Sequence, residues 1–287
     1  MKNLSFFLII IYIVSFPHLG CRDSSKLPVE PNNSTNVSTS TIISGTTHNE
    51  SFANRRNKVV LVLFDISRSI SKDEKEKYYG YFEKNVMRHL KINDILFVGR
   101  ITNNSLNEPL LNITLEPMKS VDIQNDNNNE FYRKRAEAKA RKKHREQLRE
   151  KILTIKKQVN NWLSGETDAT DILGAIRIVN QAFDFNDADN YNKWMIIMSD
   201  MMHASNNYNF NNLKLTDQII QNIISLEGES QGGLPDMHFI NVYVCGAFTI
   251  SSITTHELHN FWEEYFTACG AHLIKFSRTP LNWDFKE

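Results

Sequence analysis

The run Val59-Val60-Leu61-Val62-Leu63-Phe64 is apolar at every position and stops abruptly at Asp65. A strand with one wet face would alternate. An unbroken run rich in β-branched residues reads instead as a strand covered on both faces, the habit of parallel sheets. Asp65-Ile66-Ser67-Arg68-Ser69 follows, with one carboxylate and two hydroxyls at alternate positions, and then the amphipathic segment Lys72 to Leu90. Three hard oxygen groups therefore fall on the loop between a strand's carboxyl end and a helix. Open α/β sheets bind ligands at that edge.

The rest of the chain repeats this alternation. Ile95-Leu96-Phe97-Val98 predicts a second strand, and Leu110 to Leu115 alternates apolar with polar, the mark of a half-exposed antiparallel edge. Asp168 to Phe183 predicts a helix capped by Thr170 or Asp168, with Ile172, Leu173, Ile176, Val179 and Ala182 on one face. Trp194 to Met198 predicts a third buried strand, followed by Ser199-Asp200. A helix near Leu215 to Leu226, a strand Phe239 to Val244, a helix Thr254 to Ala268 and a strand His272 to Phe276 complete the pattern. The expected fold is α/β: a doubly wound, mainly parallel, Rossmann-like sheet with one antiparallel edge strand.

One segment has a different texture. Residues 130–163 contain no Gly or Pro and many strong helix formers, predicting a long inserted helix. Between Glu130 and Lys151, ten Lys/Arg against four Asp/Glu give a formal local charge of +6. Its second half carries Leu148, Ile152, Ile155, Val159 and Trp162 at helical spacing, so that half docks and the first half projects into solvent. Two readings fit: a contact surface for anionic lipid, nucleic acid or an acidic protein, or a solvated charged helix. Whole-chain charge is zero, with 33 basic and 33 acidic residues, so it favours neither nucleic acid nor a membrane.

The amino-terminal residues are not part of this fold. Lys2 precedes an apolar core from Phe6 to Phe16, too short for a membrane span of about 20 residues and of signal-peptide length. His18-Leu19-Gly20-Cys21 follows and resembles the lipobox of bacterial lipoprotein signals, with His18 where an apolar residue is usual. Residues 1–21 are read as a signal peptide ending at Cys21, either lipidated there or cut as an ordinary signal. Both readings export the chain, to the periplasmic side of the cell envelope on a lipid anchor or as a secreted protein. Residues 22–54, rich in Ser, Thr, Asn and Pro, read as a disordered tether, leaving 55–287 as the folded domain. Cys245 and Cys269 should lie at opposite edges of the sheet, too far apart to bridge. Two free thiols are expected.

Asp65, Ser67, Ser69, Thr170 and Asp200 are the oxygen donors that this topology brings to one edge. Carboxylates and hydroxyls without His or Cys suit a hard cation such as Mg²⁺, with Mn²⁺ or Ca²⁺ as alternatives. At these residues the chain resembles the von Willebrand factor type A domain. The metal-ion-dependent adhesion site of that family reads Asp-x-Ser-x-Ser, then a distant Thr, then a distant Asp. The resemblance implies that Ser67, Ser69 and Thr170 hold the metal directly, while Asp65 and Asp200 act through water and by orienting the hydroxyls. It also implies an open metal position for an Asp or Glu carboxylate of a protein partner, and no catalysis. Three departures stand out: Arg68 and Met201 where Gly is frequent, and Asp168-Ala169 before Thr170 in place of a Gly-rich approach. The residues after Phe276, which include Pro280, leave no room for the mobile last helix of some members.

Two other functions use parts of the same chain. A scaffold could bind anionic partners through the basic helix, with a vestigial metal site. A phosphotransferase or hydrolase of the haloacid dehalogenase type also begins with a strand-end Asp, but needs a second Asp two residues on, where this chain has Ser67. His203, His256 and His259 are placed too far apart for a zinc triad, and the last two read as solvated on one helix face.

Overall fold

A computed structural model describes residues 56–119, 130–185, 188–230, 232–249 and 253–279. The candidate signal peptide, Cys21 and the tether lie outside the described residues.

Six strands form one sheet: β1 (Asn57–Asp65), β2 (Ile95–Ile101), β3 (Leu111–Thr114), β4 (Tyr191–Met198), β5 (Ile240–Cys245) and β6 (His272–Ser277), in the order β3-β2-β1-β4-β5-β6. All pairings are parallel except β2 with β3, which is antiparallel at the edge. The α/β fold expected from the sequence is present. β1 lies between β2 and β4, which explains why its apolar run does not alternate. Val59, Leu61 and Leu63 join one core and Val60, Val62 and Phe64 the other, all at 0% exposure. Each such side chain contributes about 1.5–3 kcal/mol of burial free energy.

The helices divide between the two faces. The first core takes α3 (Ile172–Ile176), α4 (Val179–Ala182), α5 (Asp217–Glu229) and α6 (Thr255–Ala268); the second takes α1 (Lys72–Tyr81) and the docked end of α2 (Glu130–Leu163). Ser71 starts α1 and Thr254 starts α6 with reciprocal capping boxes, to Glu74 and Glu257 respectively. After Tyr81 the helical path continues as a π turn, Phe82–Val86, and a 3-10 turn, Met87–His89. Helix α2 matches the expected 130–163: Ile155, Val159 and Leu163 are buried, and the residues before Leu148 are exposed apart from half-buried Ala136, Glu137, Ala140 and His144. Cys245, ending β5, and Cys269, following α6, are buried thiols not joined in a disulfide.

The helix expected from Asp168 to Phe183 is interrupted. Its cap is Asp171, whose Oδ1 accepts the Gly174 N–H at 2.9 Å, not Thr170 or Asp168. The reason is long-range: Thr170 exchanges two backbone hydrogen bonds with Ala204, each 2.9 Å, so its backbone belongs to a bridge between loops. This frees its hydroxyl from capping.

Candidate metal centre

The carboxyl edge of the central strands is built from four loops, those after β1, β4 and β5 and the approach to α3, stitched together by backbone hydrogen bonds. Arg68 N donates to Thr167 O at 3.1 Å, Thr170 pairs with Ala204, and Phe248 N donates to Asp200 O at 3.2 Å. The loop after β1, the approach to α3 and the loops after β4 and β5 are thereby held in one frame.

Within that frame Asp65 is fully buried and both its oxygens are engaged. Oδ1 accepts the Ser67 N–H at 2.9 Å, and Oδ2 accepts the Ser199 hydroxyl at 2.6 Å. The first bond folds the loop back on itself, so that the Ser67 and Ser69 hydroxyls meet at 2.9 Å. Asp200 accepts the Met202 N–H at 2.9 Å and a hydrogen bond from Ser69. Ser67, Ser69, Thr170 and Asp200 line one cleft of about 290 Å³, with Glu74, Asp168, Met202 and Phe248 among its other walls. Asp65 stands behind the cleft. All five oxygen donors named from the sequence are thus gathered at one place, four facing the cleft and one supporting them from within.

Electrostatics mark this place as costly. Burial raises the Asp65 carboxyl above its ordinary range, and the hydrogen bonds from Ser199 and Ser67 only partly oppose it. Burial, followed by repulsion from Asp65, pushes Asp200 up to about 7. Lys75 acts weakly on Asp65, and its Nζ is spent on the carbonyls of Ile66 and Gly165, each at 3.1 Å. Burial beside the two carboxylates also raises the Tyr78 hydroxyl, which stays neutral. That hydroxyl fits because Gly246 has no Cβ to collide with it and adopts φ +101°. Two acids so placed favour either a shared proton or a cation.

Met201 stands where the type A motif that this chain resembles frequently has Gly, and the structure shows how it is accommodated. Its φ is +66°, in the left-handed region that favours glycine, and its side chain is fully buried. The Trp262 indole N–H holds its carbonyl at 3.1 Å, so apolar burial and one hydrogen bond offset the backbone strain. Arg68 lies on the rim, paired with Asp168 at 2.6 Å and Glu166 at 3.5 Å, and all three are exposed.

Three residues escaped the sequence reading. Ser199 and Lys75 act as described above. His203 is 1% exposed; its Nδ1 accepts the Ile172 N–H at 3.1 Å, which places the proton on Nε2, facing Ser205 Oγ at 2.9 Å. Burial lowers its pKa to about 4, so it is neutral. His203 thus joins the start of α3 to the loop that pairs with Thr170. His203→Phe leaves the Ile172 N–H without an acceptor and is expected to cost about 2 kcal/mol in chemical denaturation. His256 is exposed and His259 half-buried on α6. Among the described residues no three His, Cys, Asp or Glu side chains gather as a metal cluster, so hydroxyls supply much of this donor set.

No protein-family model matches the chain, and no curated protein matches it. Among solved structures, the VWA domain of SpRpn10 matches over 78% of this chain and 90% of that one, at 12% identity and a TM-score of 0.36. The strand order and registers given above define the fold independently of that likeness.

Proposed function

We propose that residues 55–287 form a type A-like domain that captures a partner protein through a divalent cation, Mg²⁺ by preference. The observation that carries this reading is the contact of the Ser67 and Ser69 hydroxyls in a cleft shared with Thr170 and Asp200, backed by buried Asp65. Hard oxygen donors without His or Cys favour Mg²⁺, and Mn²⁺ or Ca²⁺ would use the same groups. Ser67, Ser69 and Thr170 would hold the ion; Asp65 and Asp200 would orient those hydroxyls and balance its charge. The bound cation supplies one chemical property, an electrophilic position for a carboxylate of the partner.

The chain's own residues do the remaining work. Asp65 fixes the Ser67 backbone, Ser199 fixes Asp65, and the Thr170–Ala204 bridge sets the opposite wall. Binding is favoured over phosphoryl transfer because Asp65 is fully enclosed with both oxygens engaged, which leaves no path for it to attack a substrate. Ser67 stands where that chemistry needs an acid. Export and lipidation at Cys21 belong to the same proposal and would display the cleft at the cell envelope.

The test is affinity capture with the full chain as bait, in Mg²⁺ and in chelator, with Asp65→Asn as the second bait. Partners retained in Mg²⁺ should be lost with chelator and with the variant. A partner set indifferent to both contradicts the reading.

A further inference from the structure

We propose that the exposed face of α2 docks on an anionic membrane surface, with Phe131 and Tyr132 at its amino-terminal end entering the headgroup layer. The inference rests on the charge and ring placement of this helix and does not depend on the metal centre.

The docked line of α2 runs through Leu148, Ile152, Ile155 and Val159. At 3.6 residues per turn, Tyr132, Arg135, Lys139 and Lys143 lie on a line turned well away from it. All four are exposed, and among the described residues Arg135, Lys139 and Lys143 form no ion pair. By contrast, Arg133, Lys134, Arg141 and Lys142 pair with glutamates one turn away on the same helix. Arg135, Lys139 and Lys143 therefore form an unpaired basic line opposite the docked one; Arg145, Arg149 and Lys151, on other sides of the helix, likewise make no ion pair among the described residues. At its tip Phe131 is 67% and Tyr132 61% exposed, their rings in edge contact at 5.9 Å.

Basic residues beside aromatic rings are the chemistry of a bilayer interface, where ring and cation sit at headgroup level. Single-stranded nucleic acid would be served by rings interleaved along the stripe, for stacking; here they occur only at the end. A docked acidic protein would need an apolar seam between the charges to bury, and Arg135, Lys139 and Lys143 are separated by Ala136, Glu137, Ala138, Ala140, Arg141 and Lys142. A planar anionic surface asks only for the stripe and the tip.

The full chain carries an apolar amino-terminal stretch that can bind any bilayer, so the informative quantity is a ratio. Binding is measured by flotation to vesicles with about 30 mol% phosphatidylglycerol and to pure phosphatidylcholine, at about 0.1 M salt and with chelator present. Each basic residue near such a surface is worth about fivefold, so Arg135→Gln, Lys139→Gln and Lys143→Gln together should lower the anionic preference about a hundredfold. Circular dichroism of that variant verifies that the helix persists. In a second variant, Tyr132→Trp, the indole emission should shift to the blue on anionic vesicles and stay unchanged on duplex DNA. An unaltered ratio in the triple variant overturns the proposal, and so does an emission that shifts with DNA instead of vesicles.

Discussion

Asp65→Asn is expected to make the metal-free protein more stable and, in the same molecule, blind to magnesium. The native carboxylate is enclosed, and burial disfavours its charged form more than the hydrogen bonds from Ser199 and Ser67 support it. The neutral amide keeps an oxygen for the Ser67 N–H and removes the buried charge, a gain of order 1–3 kcal/mol. In the wild type, Mg²⁺ at a hundred times its dissociation constant stabilises by about 2.7 kcal/mol. In the variant that increment should vanish, with affinity lowered at least about a hundredfold, since the charge that balances the cation is lost while the Ser67 N–H keeps its acceptor. Thermal unfolding with and without Mg²⁺ reads both effects. A purely structural Asp65 makes the opposite prediction, a variant that is less stable under every condition.

The second large effect is in pH. Asp200, at about 7 in the fold, holds a proton that the unfolded chain releases near the ordinary 3.8. Its contribution to metal-free stability therefore falls as pH rises from about 4 to about 7. His203 runs the other way: held near 4 against an ordinary 6.5, it supports the fold fully above 6.5 and loses that support as pH falls towards 4. The two trends oppose each other in the metal-free protein and flatten its profile. Magnesium separates them, because it requires the ionised carboxylates and leaves the His203 contribution unchanged. The stabilisation gained from saturating Mg²⁺ should be nearly absent at pH 5 and complete, at about 3 kcal/mol, at pH 8. An equal increment at both values would contradict the carboxylate pair as the binding site.

The sequence displayed what depends on local period and left hidden what depends on distant loops. The unbroken apolar run of β1 announced a strand covered on both faces, and the alternation at Leu111, Ile113 and Leu115 announced the antiparallel edge. The five oxygen donors were legible because each follows a strand or precedes a helix, and parallel topology sends all those positions to one edge. Capping by Asp171 was not legible, because the choice was made by the bridge between Thr170 and Ala204. Ser199 carried no periodic or compositional signal apart from its place beside Asp200, and its bond to Asp65 spans 134 residues. His203 drew notice in the sequence only as a residue outside any zinc triad; the folded chain shows it enclosed between Ile172 and Ser205. Met201 was visible as a departure from glycine, but the Trp262 bond that holds its backbone comes from a helix 61 residues on.

The most direct test of the account is a Mn²⁺ titration of the full chain followed by electron paramagnetic resonance, for wild type and Asp65→Asn. The account predicts one bound ion per chain in the wild type, displaced by excess Mg²⁺, with its spectrum altered when an acidic peptide is added, and no such site in the variant. Equal Mn²⁺ binding by the two proteins, or none by the wild type, would contradict it.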